Sequence, residues 1–260
     1  MKKLLALLLT ALLALGVVAT VASCTEPRNE KSLVLGFDAD FPPYGYEKDG
    51  EFVGFDIEYA KKVCSNLGYT LTLKPIDWDA KDELLKSGAI DFIWNGFTYE
   101  GRENAYEWTD RYLNNSIVVL TTDSAITSLD ALAGKKVAVQ TDSSGEAALS
   151  EKEDLVATFA NGKFFTESQY VVACEKLTAG AYDAIVVDFG VAKYLQSQNA
   201  NLKIVDEAVS QETYAVGFLK GNTALCAEIN AELKKVGKDE SFIKGLCEKY
   251  GVDYSSFLLK

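Results

Sequence analysis

The feature that most constrains the fold is an alternation of short β-rich runs with amphipathic helical runs along most of the chain. The β-rich runs predict strands at residues 33–36, 70–75, 90–94, 116–121, 136–140, 157–159, 184–187 and 213–218. The amphipathic runs predict helices at residues 56–67, 81–87, 129–133, 144–150, 168–179, 223–236 and 241–250. Strands that alternate with helices are typical of βαβ units and parallel sheets. The pattern therefore predicts an α/β protein.

The first residues have the pattern of an export signal. Lys2 and Lys3 give a positive start, and residues 4–18 form an apolar run too short and too early for a spanning helix. The small residues 21–23 before Cys24 resemble the lipobox of bacterial lipoproteins. In such a protein the cysteine receives a diacylglyceryl group before the leader is removed.

This resemblance predicts how the protein is anchored. Residues 1–23 would be the signal peptide, Cys24 would carry the lipid, and residues 24–31 would form a polar, flexible linker. Because two or more acyl chains hold a protein lastingly on a bilayer, we expect an extracytoplasmic domain tethered to the outer face of the bacterial cell membrane. An ordinary secretory signal before a buried cysteine is the alternative.

Composition excludes several function classes. The chain has 38 acidic and 26 basic residues and a net charge of −12, which argues against a nucleic-acid partner. It has no histidine, which excludes Ser-His-Asp and Cys-His nucleophile arrangements and most catalytic zinc sites. We expect no cofactor and no bound metal, and an enzymatic function would depend on carboxylates, tyrosine or lysine.

Four cysteines remain once Cys24 is assigned to the lipid, and an exported protein permits disulfides. Cys226 and Cys247 are a plausible pair because each lies on one of the two predicted C-terminal helices. The alternative is that all four are buried free thiols. No C-x-x-C spacing occurs, which argues against a redox or metal cluster.

Ordered motifs indicate the family. They are GFDADFPPY at 36–44, FVGFDI at 52–57, DFIWNGFT at 91–98 followed by Arg102, VAVQ at 137–140 followed by SSG at 143–145, and YDAIVVD at 182–188. Each motif is weak alone, but the ordered set resembles the extracytoplasmic amino-acid-binding proteins of ABC importers, solute-binding protein family 3. The resemblance covers essentially all of residues 32–255.

The resemblance implies a two-lobe periplasmic-binding-protein-like fold of type II, with ligand in the cleft between the lobes. Two crossover strands, near residues 114–121 and 208–214, would form the hinge. Residues 32–115 and 212–260 would then form lobe 1, and residues 116–211 lobe 2. The implied function is capture of a polar or basic L-amino acid by hinge closure, followed by delivery to an ABC permease and its ATPase. We expect a monomer.

A free amino acid must have both of its charges neutralised in a cleft that excludes water. Arg102 and Asp188 are the candidate pair: a guanidinium matches a carboxylate, and Asp188 follows a predicted strand at the edge where ligands of open α/β sheets collect. Ser144 and Gly145 begin a predicted helix, whose N–H groups would bind the same carboxylate. The alternatives that involve no ligand are a surface ion pair for Arg102 and a helix cap for Asp188.

By resemblance, Thr98 would also hold the ligand carboxylate, and the Gly96 carbonyl would share the ammonium with Asp188. The run between Thr98 and Arg102 is one residue shorter than the family's commonest spacing. Gly101 would permit the tighter turn that this spacing needs.

The ligand side chain would meet aromatic and polar residues. Phe41 and Trp78 match positions where relatives place the side chain between aromatic rings, and core packing is the alternative for both. Asp38 matches a position that contacts the distal end of polar or basic side chains. Together with Asp40 it would favour arginine or lysine. Alternatively, one carboxylate is held by backbone N–H groups and the ligand is glutamine or cystine, for which Gln140 and Asn95 would serve equally well.

Two other function classes compete with a transport-binding protein. A cleft enzyme of the same fold, such as a dehydratase or lyase acting on a carboxylated ring, would need a general acid in place of the ammonium-binding carboxylate. A ligand-sensing domain would usually belong to a longer chain with membrane and signalling segments. Asp188 retained together with Arg102 favours binding.

Overall fold

A computed structural model describes residues 31–260; the predicted leader, Cys24 and most of the predicted linker lie outside the described residues. The strands are β1 Ser32–Phe37, β2 Asp40–Phe41, β3 Gly45–Lys48, β4 Glu51–Val53, β5 Thr70–Pro75, β6 Phe92–Ile93, β7 Tyr106–Trp108, β8 Leu113–Thr121, β9 Val137–Gln140, β10 Phe165–Glu167, β11 Ala184–Asp188, β12 Lys203–Ile204, β13 Ser210–Tyr214 and β14 Gly217–Leu219. The α-helices are α1 Phe55–Asn66, α2 Lys81–Lys86, α3 Ser144–Ser150, α4 Glu153–Thr158, α5 Tyr170–Thr178, α6 Phe189–Gln198, α7 Thr223–Gly237 and α8 Glu240–Tyr250. Short 3₁₀ turns are Trp78–Ala80, Asp130–Leu132, Ala160–Gly162 and Tyr254–Ser256.

Two sheets organise the described chain. The first has the order β5-β1-β6-β14-β7, in which β1 is parallel to β5 and β6, and β14 is antiparallel to its neighbours. Helix α1 packs on β5, α7 and α8, and α2 packs against β14. We call this sheet, its helices and the small β2-β3-β4 sheet the first lobe.

The second sheet has the order β10-β9-β11-β8-β12, and β13 also pairs with β8. Strand β9 is parallel to β10 and β11, whereas β8 is antiparallel to β11, β12 and β13. Helices α3 and α5 pack on β9 and β11, and α6 packs on β8 and β11. We call this sheet with its helices the second lobe. The two predicted crossovers correspond to β8 and β13, which pair with each other.

Most predicted elements are confirmed, with four corrections. The predicted strand at 157–159 is wrong. Residues 157 and 158 end α4, residue 159 follows that helix, and β10 at Phe165–Glu167 pairs with β9 instead. Helix α6 directly after β11 was not predicted. The single strand expected at 213–218 is two strands, β13 and β14. The sheets are mixed rather than parallel, because the crossover strands and their neighbours run antiparallel.

One buried apolar cluster extends through both lobes, a second lies in the second lobe and a third in the first, and residues 31–260 form one compact unit. The structure has the second of the two predicted cysteine arrangements, since Cys64, Cys174, Cys226 and Cys247 are all buried free thiols. Burial raises the pKa of each of these thiols. Within the described residues, no helix combines the length and apolarity that crossing a membrane requires.

Candidate functional site

The carboxyl ends of strands from both sheets converge on one cavity, whose empty space is about 300 Å³ when the part open to solvent is included. Asp38 follows β1, Asn95 and Gly96 follow β6, Gln140 ends β9, and Asp188 ends β11. This is the edge at which open α/β sheets bind ligands. The residues lining the cavity are Asp38, Phe41, Trp78, Asn95, Gly96, Thr98, Arg102, Gln140, Ser143, Ser144, Tyr170 and Asp188.

The structure thus brings together the predicted site residues, with two exceptions, Gly145 and Asp40. Gly145 is buried beside the cavity and does not line it. A side chain there would meet the Tyr170 hydroxyl at 3.2 Å and Val139 at 3.0 Å, so Gly145 permits close packing beneath the site. Ser143 and Tyr170 line the cavity and were not predicted.

Asp188 supplies a buried negative charge at one end of the cavity. It is 3% exposed, and its Oδ1 accepts hydrogen bonds from Asn115 Nδ2 at 2.9 Å and from the Tyr214 hydroxyl at 2.5 Å. Burial raises the pKa of Asp188. Although Asp188 stands at the N-cap position of α6, its side chain makes no capping hydrogen bond. The carboxylate is turned towards the cavity and the crossover strands instead.

A second buried carboxylate, which was not predicted, lies next to Asp188. Glu212 on β13 is 6% exposed, and its Oε1 accepts a hydrogen bond from the same Asn115 Nδ2 at 2.7 Å. Burial, and then the charge of Asp188, raise the pKa of Glu212 to about 8. Among the described residues, neither carboxylate has a lysine or arginine partner at ion-pair distance. Asp188 and Glu212 are both buried and both accept from the Asn115 amide. Two such neighbouring carboxylates are stabilised either by a bound cation or by a proton on one of them.

Arg102 also lines the cavity and carries a charge without an anionic partner in the described chain. Its Nη1 is 3.5 Å from the Thr98 carbonyl oxygen, its Nη2 is 3.4 Å from the Asp142 carbonyl oxygen, and its guanidinium lies over the Phe97 ring at 5.4 Å. Gly101, with φ of 77°, makes the tight turn that the short spacing predicted. The shortened spacing therefore still places the guanidinium at the cavity.

The start of α3 lines the cavity from the second lobe. Ser143 is the N-cap: its Oγ accepts a hydrogen bond from the Glu146 N–H at 3.1 Å and donates to the Gln140 carbonyl at 2.7 Å. Ser144 is the first helical residue and lines the cavity. Free N–H groups at the start of a helix attract an anion. The guanidinium of Arg102 attracts an anion to the same cavity.

Two sequence motifs meet at Gly96. Asp56, the acidic residue of the 52–57 motif, is fully buried, and its Oδ2 accepts from the Gly96 N–H at 2.6 Å and from the Tyr112 hydroxyl at 2.8 Å. Gly96 has φ of 56°, and a Cβ there would lie 2.7 Å from the Phe41 ring. The site therefore needs glycine at this position, and Asp56 holds its peptide in place.

Aromatic side chains form part of the cavity wall. Phe41 lies against Tyr170, with ring centroids 6.0 Å apart, and Trp78 packs edge to face on Phe97 at 5.4 Å. Phe41 and Trp78 both line the cavity, as predicted, and both also pack against other rings. The buried Tyr170 hydroxyl has no hydrogen-bond partner among residues 31–260.

Asp38 lines the part of the cavity next to Gln140. Its Oδ1 accepts from the Asp40 N–H at 2.8 Å, and its Oδ2 accepts from Gln140 Nε2 at 2.7 Å. Gln140 Nε2 also donates to the Ser168 carbonyl at 3.0 Å, so both of its hydrogens are used. Asp40 does not line this cavity, and its carboxylate accepts from Gln169. Only one of the two predicted carboxylates therefore faces the cavity.

Asp38 also borders a second cavity of about 320 Å³. Trp78 lines both cavities, and the second one adds Asp77 and Asp79 but no basic residue. Burial raises the pKa of Asp38, and the charges of Asp40 and Asp77 act in the same direction. This end of the site is therefore rich in acceptors and negative charge.

Sequence reasoning missed the residues that hold the Asp188 end. A signal for them existed, because Asn115 and Glu212 lie within the two predicted crossovers. Glu212 and Tyr214 alternate along one strand and so share a face. What the sequence did not show is that β8 and β13 pair with Asn115 opposite Glu212.

Comparison with known proteins places the chain in a family. Residues 33–252 match the sequence model of the bacterial extracellular solute-binding proteins, family 3. Since the match spans most of the chain, the protein belongs to this family. The described fold is accordingly the two-lobe, type II fold of periplasmic amino-acid-binding proteins.

Individual relatives agree in class and differ in ligand. The L-cystine-binding protein of Escherichia coli strain K12 is 29% identical over 229 residues, covering 85% of this chain and 84% of that protein. The arginine-binding extracellular protein of Bacillus subtilis strain 168 is 27% identical over 257 residues, covering 96% and 98%. An ABC uptake transporter substrate-binding protein from Streptococcus pneumoniae, solved with bound histidine, superposes with a TM-score of 0.81 at 30% identity, covering 86% and 93%. The relatives are thus amino-acid-binding proteins of ABC transporters.

Proposed function

We propose that this protein captures a free L-amino acid in the cavity between its lobes and delivers it to an ABC permease. Arg102, Thr98 and the start of α3 would bind the ligand carboxylate. Asp188 and the Gly96 carbonyl would bind the ammonium. Each charge-assisted hydrogen bond of this kind contributes roughly 1.5–3 kcal/mol.

One observation carries the proposal: a buried carboxylate and a guanidinium, each without an ion-pair partner in the described chain, line the same cavity. Uncompensated charge in an enclosed site is costly. A zwitterion neutralises both charges at once. The cavity has no need of a reacting group for this role, and we propose a binding protein rather than an enzyme.

The distal end of the site favours a basic side chain, with arginine first. Gln140 has used both of its donor hydrogens, whereas Asp38 offers negative charge at the boundary with the second, acidic cavity. A guanidinium or ammonium would neutralise this charge and donate to the lone pairs of Asp38 that Asp40 and Gln140 leave open. Glutamine and cystine are the competing ligands, because an amide or a second ammonium also donates hydrogen bonds.

We propose that binding closes a hinge. Lobe 1 would comprise residues 32–115 and 212–260, and lobe 2 residues 116–211. The pairing of β8 with β13 supports these boundaries, because both crossings between the sheets then occur side by side. A ligand that contacts both lobes stabilises the closed form by the difference in contacts between the two states. The closed form would be the one that docks on the permease.

We further propose that Cys24 carries a lipid that holds the monomeric protein on the outer face of the cell membrane. The support is the small-residue run before Cys24 and the polar residues after it. Mass spectrometry of the mature N-terminus tests this directly. We expect an acylated Cys24, and release of a Cys24→Ser variant into the medium. An unmodified cysteine in the membrane-bound protein would contradict the proposal.

Thermal unfolding of the chain from residue 25 onward tests the ligand class. The ligand-free protein would be titrated with each proteinogenic amino acid, ornithine, citrulline and cystine. A ligand at one hundred times its Kd adds about 2.7 kcal/mol of stability. We expect the largest shift with arginine, and about tenfold weaker arginine binding in Asp38→Asn. If glutamine or cystine gives the largest shift and Asp38→Asn changes nothing, the basic ligand is wrong. If no amino acid gives a shift, the proposed function is wrong.

A further inference from the structure

Outside the cavity lining, an ion pair between a buried lysine and an exposed aspartate joins the two lobes. Lys81 begins α2 in the first lobe, and Asp142 lies between β9 and α3 in the second. The Lys81 ammonium contacts the Asp142 carboxylate. The lysine side chain is 3% exposed, whereas the aspartate side chain is 55% exposed. The pair therefore crosses the cleft, with the lysine side chain buried and the aspartate side chain on the surface above it.

Lys81 is fixed in place by groups of its own lobe. Its Nζ is 3.2 Å from the Trp78 carbonyl oxygen and 5.1 Å from the centroid of the Trp78 ring. A buried ammonium loses its hydration and depends on such partners. Removing Asp142 from it, as an opening of the cleft would do, leaves Lys81 without its carboxylate. The contact consequently favours the closed arrangement.

Asp142 engages the first lobe at two points. Besides the contact with Lys81, its carbonyl oxygen is 3.4 Å from Arg102 Nη2. Its backbone has φ of 57°, in the left-handed region that Asp and Asn adopt more readily than other non-glycine residues. Its N–H donates to Glu146 at 2.5 Å, which helps to hold that conformation. Asp142 thus contacts the first lobe through both its side chain and its backbone carbonyl.

We infer that the Lys81–Asp142 pair is a latch, which holds the lobes closed over the ligand and sets the rate of ligand release. This inference rests on the hinge closure of the proposed function. Neither residue lines the main cavity, and Asp142 lines the neighbouring one beside Arg102 and Ser144, so both act as positioning residues. Their substitution should change how long the cleft stays closed and leave the rate of ligand entry nearly unchanged.

Release kinetics and a lobe-to-lobe distance test the latch. Asp142→Asn removes the charge, and Lys81→Met removes the ammonium while keeping an apolar stem. Asp49→Asn is the matched control, because Asp49 also has a positive φ, of 53°, but lies in an exposed turn between β3 and β4. L-arginine is the ligand used for stopped-flow measurements on the chain from residue 25 onward. Fluorescent labels on Ser87→Cys and Ser150→Cys, both exposed and on different lobes, report closure without ligand.

We expect about tenfold faster release in either single variant and no further increase in the double variant, since the two residues act as one pair. Association should change by less than about twofold, and the labels should separate in the ligand-free variants. Asp49→Asn should match the unsubstituted protein. Unchanged release and unchanged label separation would overturn the latch. Failure of the unsubstituted protein to bind L-arginine would contradict the proposed ligand, and label separation would still decide on the latch.

Discussion

The two ends of the candidate site are built differently. At the hinge end, Asp188, Asn115 and Glu212 stand on β11, β8 and β13, which are strands of one sheet. At the mouth, the contacts join different lobes: Gln140 with Asp38, Gln169 with Asp40, and Lys81 with Asp142. The hinge end is held by strand pairing, and the mouth is held by side chains across a cleft.

This difference separates affinity from closure. Asn115 and Glu212 face each other on the two paired crossover strands, and the pairing of β11 with β8 holds Asp188 beside them, so we expect the hinge end to be preorganised for an ammonium group. The contacts at the mouth exist only where the lobes meet. Substitutions at the hinge end should therefore act on binding strength and stability, whereas those at the mouth should act on opening and closing.

The largest effect should come from Asp188→Asn, which keeps the size of the side chain and removes the charge. Loss of one partner of a buried charge pair costs about 3–5 kcal/mol, so calorimetry should show amino-acid affinity weakened at least about 100-fold. Exposed Asp206, replaced by Asn, is the control. Affinity of Asp188→Asn within about threefold of the unsubstituted protein would contradict a preorganised acidic end.

A second, smaller effect concerns pH. Burial raises the pKa of Glu212 from 4.5 to about 8, so between these values the folded chain holds a proton that the unfolded chain has released. Stability should then fall as pH rises from about 5 to 8, and each kcal/mol corresponds to roughly 2–4 °C in Tm for a chain of this size. Burial raises the pKa of Asp56 to about 7, which adds a loss in the same direction.

Glu212→Gln should make the dependence of Tm on pH shallower without abolishing it, because Asp56 remains. Calorimetric unfolding of the ligand-free protein at a series of pH values measures this slope. An equal slope in the two proteins would show that Glu212 is ionised in the folded state, against the proposed electrostatics of the hinge end.

The smallest effect should come from Gln169→Ala at the mouth. It removes one hydrogen bond to Asp40, a contact outside the main cavity. A single such bond contributes about 0.5–1.5 kcal/mol, so Kd should rise by less than about tenfold and Tm should fall by no more than roughly 6 °C. A loss of affinity as large as that of Asp188→Asn would remove the distinction between the two ends.

The two-lobe fold could be predicted from the sequence, and most residues that line the cavity could be named in advance because they lie in local motifs at strand ends. Arg102 and Asp188 could be located from motif order alone, and Gly101 explained the short spacing between Thr98 and Arg102. Glu212 and the Lys81–Asp142 pair could not be predicted. Their roles depend on which strands pair and on how the two lobes contact each other. A local sequence pattern predicts neither the strand pairing nor the contact between the lobes. The strand expected at 157–159 failed for a similar reason, since tertiary packing chose residues 165–167 as the partner of β9.

The central claim is that one cavity neutralises both charges of a free amino acid, and a ligand series tests it most directly. Calorimetry would compare L-arginine with its methyl ester, which lacks the carboxylate charge, and with N-acetyl-L-arginine, which lacks the ammonium. We expect each analogue to bind at least about 100-fold more weakly, since each leaves Arg102 or Asp188 uncompensated. An analogue that binds within about threefold of L-arginine would contradict the account.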